Sequence, residues 1–168
     1  MGSVDEVHAM TTEREREESF EAYPATRLSF DGGPRIDLRF RPDDDERRAL
    51  RELELGPSFA VLTAESPRGE EPEDLSPEEA ERRARENIRR TLRFEERLAK
   101  DGVPFRRVDA TAPDGGHRAR CVAVALSREE ASRLAREQEQ VALFWWDGRR
   151  FWVWPAEVES DPRPLPAP

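Results

Sequence analysis

Residues able to carry chemistry are sparse in this chain. Its two histidines, His8 and His117, fall at no metal-ligating spacing, and its one cysteine is Cys121. A Cys121–His117 pair would make a thiol nucleophile and its base. Against that, Cys121 opens the apolar run Cys121–Leu126, where a cysteine acts as a small buried hydrophobe. Asp43-Asp44-Asp45 resembles a cluster for a hard cation, but no other oxygen ligands fall in register with it. Just after Pro42, the acids read better as the start of a helix, where negative charge suits the dipole. No metal site and no cofactor is expected. The chain also lacks a glycine-rich phosphate loop of the Walker or Rossmann kind.

What remains are polar residues at the ends of elements. Ser58–Ala64 is the most apolar stretch of the first half, bounded by Gly56-Pro57 and Ser66-Pro67, and it reads as a buried central strand. Its exit places Thr63, Glu65 and Ser66 at a strand end beside a helix N-terminus. Unpaired N–H groups there suit an anion or polar ligand, and an ordinary strand-to-loop exit is the plainer alternative. Asn87 lies on the edge of a helical apolar stripe, where its amide needs partners once buried. Gln140 sits at a helix-to-strand corner beside Gln138 and Glu139. Each amide could equally clamp a loop. These five residues form the candidate ligand site. A second candidate is the aromatic run near the C-terminus. There, alternation sets Phe144 and Trp146 on one face with Trp145 opposite, and Phe151 and Val153 on one face with Trp152 and Trp154 opposite. Trp145, Trp152 and Trp154, flanked by Arg149 and Arg150, would make a partner-binding or base-stacking platform unless another element covers them.

The elements that must position these residues follow from periodicity. Leu28 and Phe30, then Ile36, Leu38 and Phe40, alternate with polar residues around Asp31-Gly32-Gly33-Pro34, which is the pattern of a hairpin. A short helix over 44–55 would turn Ala49, Leu50 and Leu53 inward. After the central strand, Ser76-Pro77-Glu78-Glu79 is a capping box that opens a helix to about Lys100. Ala80, Ala84, Ile88, Leu92 and Leu98 supply its apolar stripe, with Thr91 and Glu95 beside them. Strands over 103–112 and 120–126 flank the Pro113–Gly116 turn. Ser127-Arg128-Glu129-Glu130 caps a helix to about Glu137 with Ala131, Leu134 and Ala135 inward. Asp147-Gly148 between two aromatic runs is the strongest hairpin signal of all.

The resulting order is (α)ββα-β-α-ββ-α-ββ. It predicts a single α+β domain with a mainly antiparallel or mixed sheet and three helices. Residues 1–22 form a charged N-terminal arm, disordered or helical, residues 23–156 the domain, and residues 157–168 a proline-rich disordered tail. Met1-Gly2-Ser3 could be an expression scar before a start nearer Met10.

At 168 residues, with 36% hydrophobic and 39% charged side chains, the chain can bury one modest core. Its net charge of −9 argues against nucleic acid and anionic membrane as partners. Abundant arginine beside a single lysine, Lys100, still leaves room for a local basic groove. No stretch approaches the ~20 apolar residues of a membrane span, and no secretory signal is visible. A lone cysteine fits a reducing, cytoplasmic setting.

One resemblance covers most of the chain. Tyr23-x-x-Thr26, Phe59–Ala64 followed by Pro67, Ser76 through Asn87 in a long helix, Leu134-Ala135 closing another, and Gln140-x-Ala142 before an aromatic hairpin stand in a particular order. That order resembles the bacterial family known as domain of unknown function 3293, over about residues 23–156. The resemblance implies no established reaction. It implies an Asn before the proline, where this chain has Ser66, and a Glu just before the second apolar strand, where it has Arg118, Ala119 and Arg120. Two functions are therefore carried forward. One is a domain binding a polar small molecule or nucleotide-like ligand at the Thr63–Pro67 exit. The other is a protein-interaction or regulatory module using the tryptophan hairpin and the acidic arm. No motif names a reaction, so the sequence leaves open whether the chain is an enzyme.

Overall fold

The computed structural model describes residues 23–65, 75–116, 118–157 and 160–166. The elements are β1 (Arg27–Phe30), β2 (Arg35–Asp37), α1 (Asp44–Arg51), β3 (Phe59–Thr63), α2 (Pro77–Lys100), β4 (Phe105–Thr111), β5 (Arg118–Val124), α3 (Arg128–Glu137), β6 (Ala142–Trp146), β7 (Phe151–Pro155) and β8 (Arg163–Pro164). The strands form one sheet in the order β2-β1-β4-β5-β3-β6-β7-β8, and every neighbouring pair is antiparallel. The expected single α+β domain is what forms. The N-terminal arm, with His8, and the segment 66–74, with Ser66, lie outside the described residues, as does His117.

β3 is central, as its unbroken apolar run requires. Its two faces feed two cores. Phe59 and Val61 pack with Leu28, Phe30, Leu50, Val108, Trp146 and Phe151. The Phe59 ring meets Phe30 at 6.0 Å and Phe151 at 6.2 Å, both edge-on. Each such pair adds about 0.5–1.5 kcal/mol to burial. Ala60, Leu62 and Ala64 face the other way, toward Phe94 and Leu98 of α2 and Ala131, Leu134 and Ala135 of α3. Small residues alternate here with one large one, which lets both helices lie close to the sheet.

The helix starts are those the sequence announces. Asp43 accepts from the Glu46 amide at 2.7 Å while its own N–H donates to the Glu46 carboxylate at 3.1 Å. Ser76 and Ser127 each accept from the amide three residues on, at 3.2 Å. Asp43 is thus a cap rather than a ligand. Asp44 and Asp45 pair with Arg47 and Arg48 of the same helix.

Three local expectations are corrected. The apolar stripe assigned to α2 is misplaced: Thr91, Phe94, Glu95 and Leu98 are buried, whereas Ile88 and Leu92 are 51% and 47% exposed. Glu95 can turn inward because the Arg107 guanidinium of β4 grips both its oxygens, at 2.8 and 3.1 Å. β2 stops at Asp37, leaving Phe40 exposed. Finally, the proline-rich end is not wholly a free tail. Arg163–Pro164 pair with β7, and Leu165 is buried in the first core with its N–H donating to Phe151 O at 2.9 Å.

Candidate functional site

The β3–β5 ladder pairs Thr63 with Cys121 and goes no further. Ala64, which would face Arg120 next, lies outside the ladder, its side chain still buried in the second core. Side chains take its place: the Thr63 hydroxyl donates to Arg120 O at 2.8 Å, and the Glu65 carboxylate accepts from Arg120 N at 3.0 Å. Both backbone groups of Arg120 are therefore satisfied across the break. The Glu65 N–H in turn donates to Thr63 Oγ1 at 3.1 Å.

The carbonyls freed by this turn are gathered by two donors. Arg90 of α2 gives its Nε to Ala64 O at 2.7 Å and an Nη to Gln138 O at 3.1 Å. Gln140, buried between α3 and β6, gives its amide nitrogen to Glu65 O at 2.7 Å and Gln138 O at 3.0 Å. The backbone aids the second clamp: Glu139 adopts φ of +61°, bending the chain so that Gln140 points back to β3. Asn87 lies half-buried one turn before Arg90, its carbonyl accepting from the Thr91 hydroxyl at 2.8 Å.

Thr63, Glu65 and Gln140 are thus brought together, Asn87 lies on the adjoining turn of α2, and Ser66 is outside the described residues. The sequence reading missed Arg90 and Arg120. Arg90 was detectable in principle, because it follows Asn87 by three residues and so shares its side of the helix. In the sequence Arg120 stands out only as a departure from a family pattern.

Burial raises the Glu65 carboxyl above its ordinary value, against the pull of the Arg120 N–H and guanidinium. Asp109 opposes its ionisation as well. The same low-dielectric setting pushes the Cys121 thiol up to about 12, with the Glu65 charge adding to the effect. A thiol so protected is no nucleophile at neutral pH, in keeping with the buried-hydrophobe reading. Among the described residues no group of three or more His, Cys, Asp or Glu could hold a metal ion.

Residues 75–143 match the model of a family described as protein of unknown function (DUF3293). This stretch is similar to the DUF3293 family. The matched segment takes in α2, β4, β5, α3 and the start of β6, less than half of the chain. Asn87, Arg90, Arg120 and Gln140 lie inside the matched segment, Thr63 ends the strand it packs against, and Glu65 lies two residues beyond that end. No curated protein and no solved structure matches the chain.

The tryptophan hairpin presents less than its alternation suggests. Trp152 donates its indole N–H to Asp147 at 2.8 Å, and Asp147 also accepts the backbone amides of Arg149 and Arg150. Burial alone would raise the Asp147 carboxyl, but these three bonds hold it below the ordinary range. Trp154 lies under the Arg128 guanidinium at 4.0 Å, and both it and Trp145 pack partly into the second core. Arg150 donates to Leu165 O at 3.2 Å, leaving Arg149 as the exposed cation of the turn.

Elsewhere, a shallow cavity of about 340 Å³ opens between the β1–β2 turn at Gly32–Pro34 and α1, with Arg106 in its wall. It lies on the face opposite α2 and lacks the convergent polar groups of the β3 exit. Among the described residues no helix is long and apolar enough to cross a membrane.

Proposed function

We propose that this chain is a binding domain for a small polar ligand, seated at the β3 exit between Thr63, Glu65 and Arg120. The observation that carries the proposal is the broken β3–β5 ladder. A central strand leaves its sheet early and exposes a half-buried carboxylate, a hydroxyl and an arginine side chain at one point. The pairing suits a ligand with an anionic group for Arg120 and an adjacent hydrogen-bond donor for Glu65, a description that includes nucleotide-like compounds. Arg90 and Gln140 serve such a site by fixing the two carbonyls behind it. Asn87 adjoins the same corner.

The test is a thermal-shift screen of phosphorylated and carboxylated small molecules, followed by titration calorimetry. A specific ligand at one hundred times its dissociation constant should stabilise the fold by about 2.7 kcal/mol. That gain should vanish in Arg120→Ala, with its unliganded melting temperature little changed, and fall in Glu65→Gln when each protein is compared with its own unliganded form. A panel without hits, or a shift that survives Arg120→Ala, would defeat the proposal.

A further inference from the structure

Strand β4 sends Val108 and Ala110 into the first core, and its alternation sets Arg106 on that same face. The last β1–β4 pair is Phe30 with Val108, so β1 has already bent into its turn where Arg106 would meet it. The cavity of about 340 Å³ between that turn and α1 opens at this corner. Pro34, Ala49 and Leu53 are the apolar part of its wall, and Arg106 and Glu52 are the charged part. Gly33 brings the turn directly onto α1, since a Cβ there would fall 2.9 Å from Leu53 Cδ2. Leu53 is buried, so this side of the cavity is anchored in the core.

The two charges are idle. Among the described residues the Arg106 guanidinium donates to no acceptor, and the Glu52 carboxylate accepts from no donor. Nor do they pair with each other across the cavity. Their neighbours behave otherwise: Arg107 grips Glu95, and Arg47 and Arg48 hold Asp44 and Asp45. An arginine fork and a carboxylate facing one space thus keep their hydrogen-bonding capacity for a guest.

Charge complementarity selects that guest. A simple anion would suit Arg106 and be repelled by Glu52, and a simple cation would suit Glu52 and be repelled by Arg106. A zwitterion satisfies both, and the apolar wall asks for an apolar body. We infer that this cavity binds an α-amino acid with an apolar side chain. Its carboxylate sits on Arg106, its ammonium group on Glu52, and its side chain against Pro34, Ala49 and Leu53. The cavity is shallow and at the small end of ligand pockets, so the dissociation constant is in the range of about 1–10 mM. It lies on the sheet face opposite α2, and the inference stands whether or not a ligand binds at the β3 exit.

Amide NMR of the full chain, titrated with leucine, N-acetyl-leucine and leucine amide to about 50 mM, reads the site directly. Leucine should shift the Gly32, Gly33 and Ala49 resonances saturably, and each blocked compound should bind at least about tenfold more weakly. Arg106→Ala should weaken leucine about tenfold and leave leucine amide unchanged. Glu52→Gln should erase the preference for leucine over N-acetyl-leucine. Ala49→Phe, which fills the cavity from α1, should abolish all three responses. Each variant should keep the wild-type spectrum away from the cavity, which shows that it folds. The inference is overturned by the absence of any saturable shift, by equal binding of the three compounds, or by binding that survives Ala49→Phe. Shifts confined to Thr63, Glu65 and Arg120 would overturn it too, and would place the amino acid at the β3 exit.

Discussion

The side-chain amide of Gln140 donates to the backbone carbonyl of Glu65 at 2.7 Å, across 75 residues of chain. This bond ties the α3–β6 corner to the exit of the central strand. Removing the donor leaves a partly buried carbonyl short of a partner. Gln140→Ala should therefore cost about 1–3 kcal/mol, seen as a lower urea midpoint with an unchanged slope. An unmoved midpoint would mean that the corner holds without its clamp.

Glu65 makes a prediction with a definite sign. Its folded-state pKa is raised by burial, so the native chain binds its proton more tightly than the unfolded chain does. Stability from this group is fully present below the ordinary carboxylate value and is lost as pH rises through the raised one. Asp37 and Asp147 are shifted the opposite way, by hydrogen bonds from Arg39 and, against burial, from Trp152 and backbone amides. The clean measurement is thus the stability of Glu65→Gln minus that of wild type, from about pH 4 to about pH 8. The difference should move in favour of the variant as pH rises. A flat difference would show that the carboxyl is not desolvated.

The phase of α2 can be tested by truncation. Phe94→Ala removes a ring from the second core and should cost about 3–5 kcal/mol. Leu92→Ala, two residues away, should stay within about 0.5 kcal/mol at low micromolar concentration. Equal losses would return the helix to the stripe read from its sequence.

That stripe shows where sequence reasoning runs out. β3 was legible because Phe59–Leu62 has no polar residue to offer to water, and the hairpins were legible because Gly32-Gly33 and Asp147-Gly148 set the turns. Gly148 indeed takes φ of +97°. The α2 phase was not legible, because the counting favoured Ile88 and Leu92 while the cost of burying Glu95 depends on Arg107, which the helix itself cannot reveal. The candidate site was visible as a place but not as a mechanism. Thr63, Glu65 and Gln140 do converge, yet nothing in their order announces that Ala64 abandons the ladder, or that Arg90 and Arg120 complete the corner.

Asp147 and Trp152 should behave as a coupled pair. Trp152→Phe keeps most of the apolar area but loses the indole donor, and should cost about 1–2 kcal/mol. Asp147→Ala should cost more, since it also frees the amides of Arg149 and Arg150. A double-mutant cycle should return a coupling of at least about 0.5 kcal/mol. Strict additivity would free Trp152 for contacts outside the chain.

A long antiparallel sheet invites trouble at its rims, where unpaired strand groups can template fibrils. Here β2 offers only three residues and β8 only two. Pro164 and Pro166 have no N–H to lend to an incoming strand, and the Leu165 amide is already spent on Phe151. The aromatic β6–β7 ribbon, the part of the fold most prone to aggregate, therefore lies one strand inside a rim that cannot be extended. Deleting residues 160–168 would remove that rim and bare the outer edge of β7, converting a short proline-rich tail into a determinant of solubility.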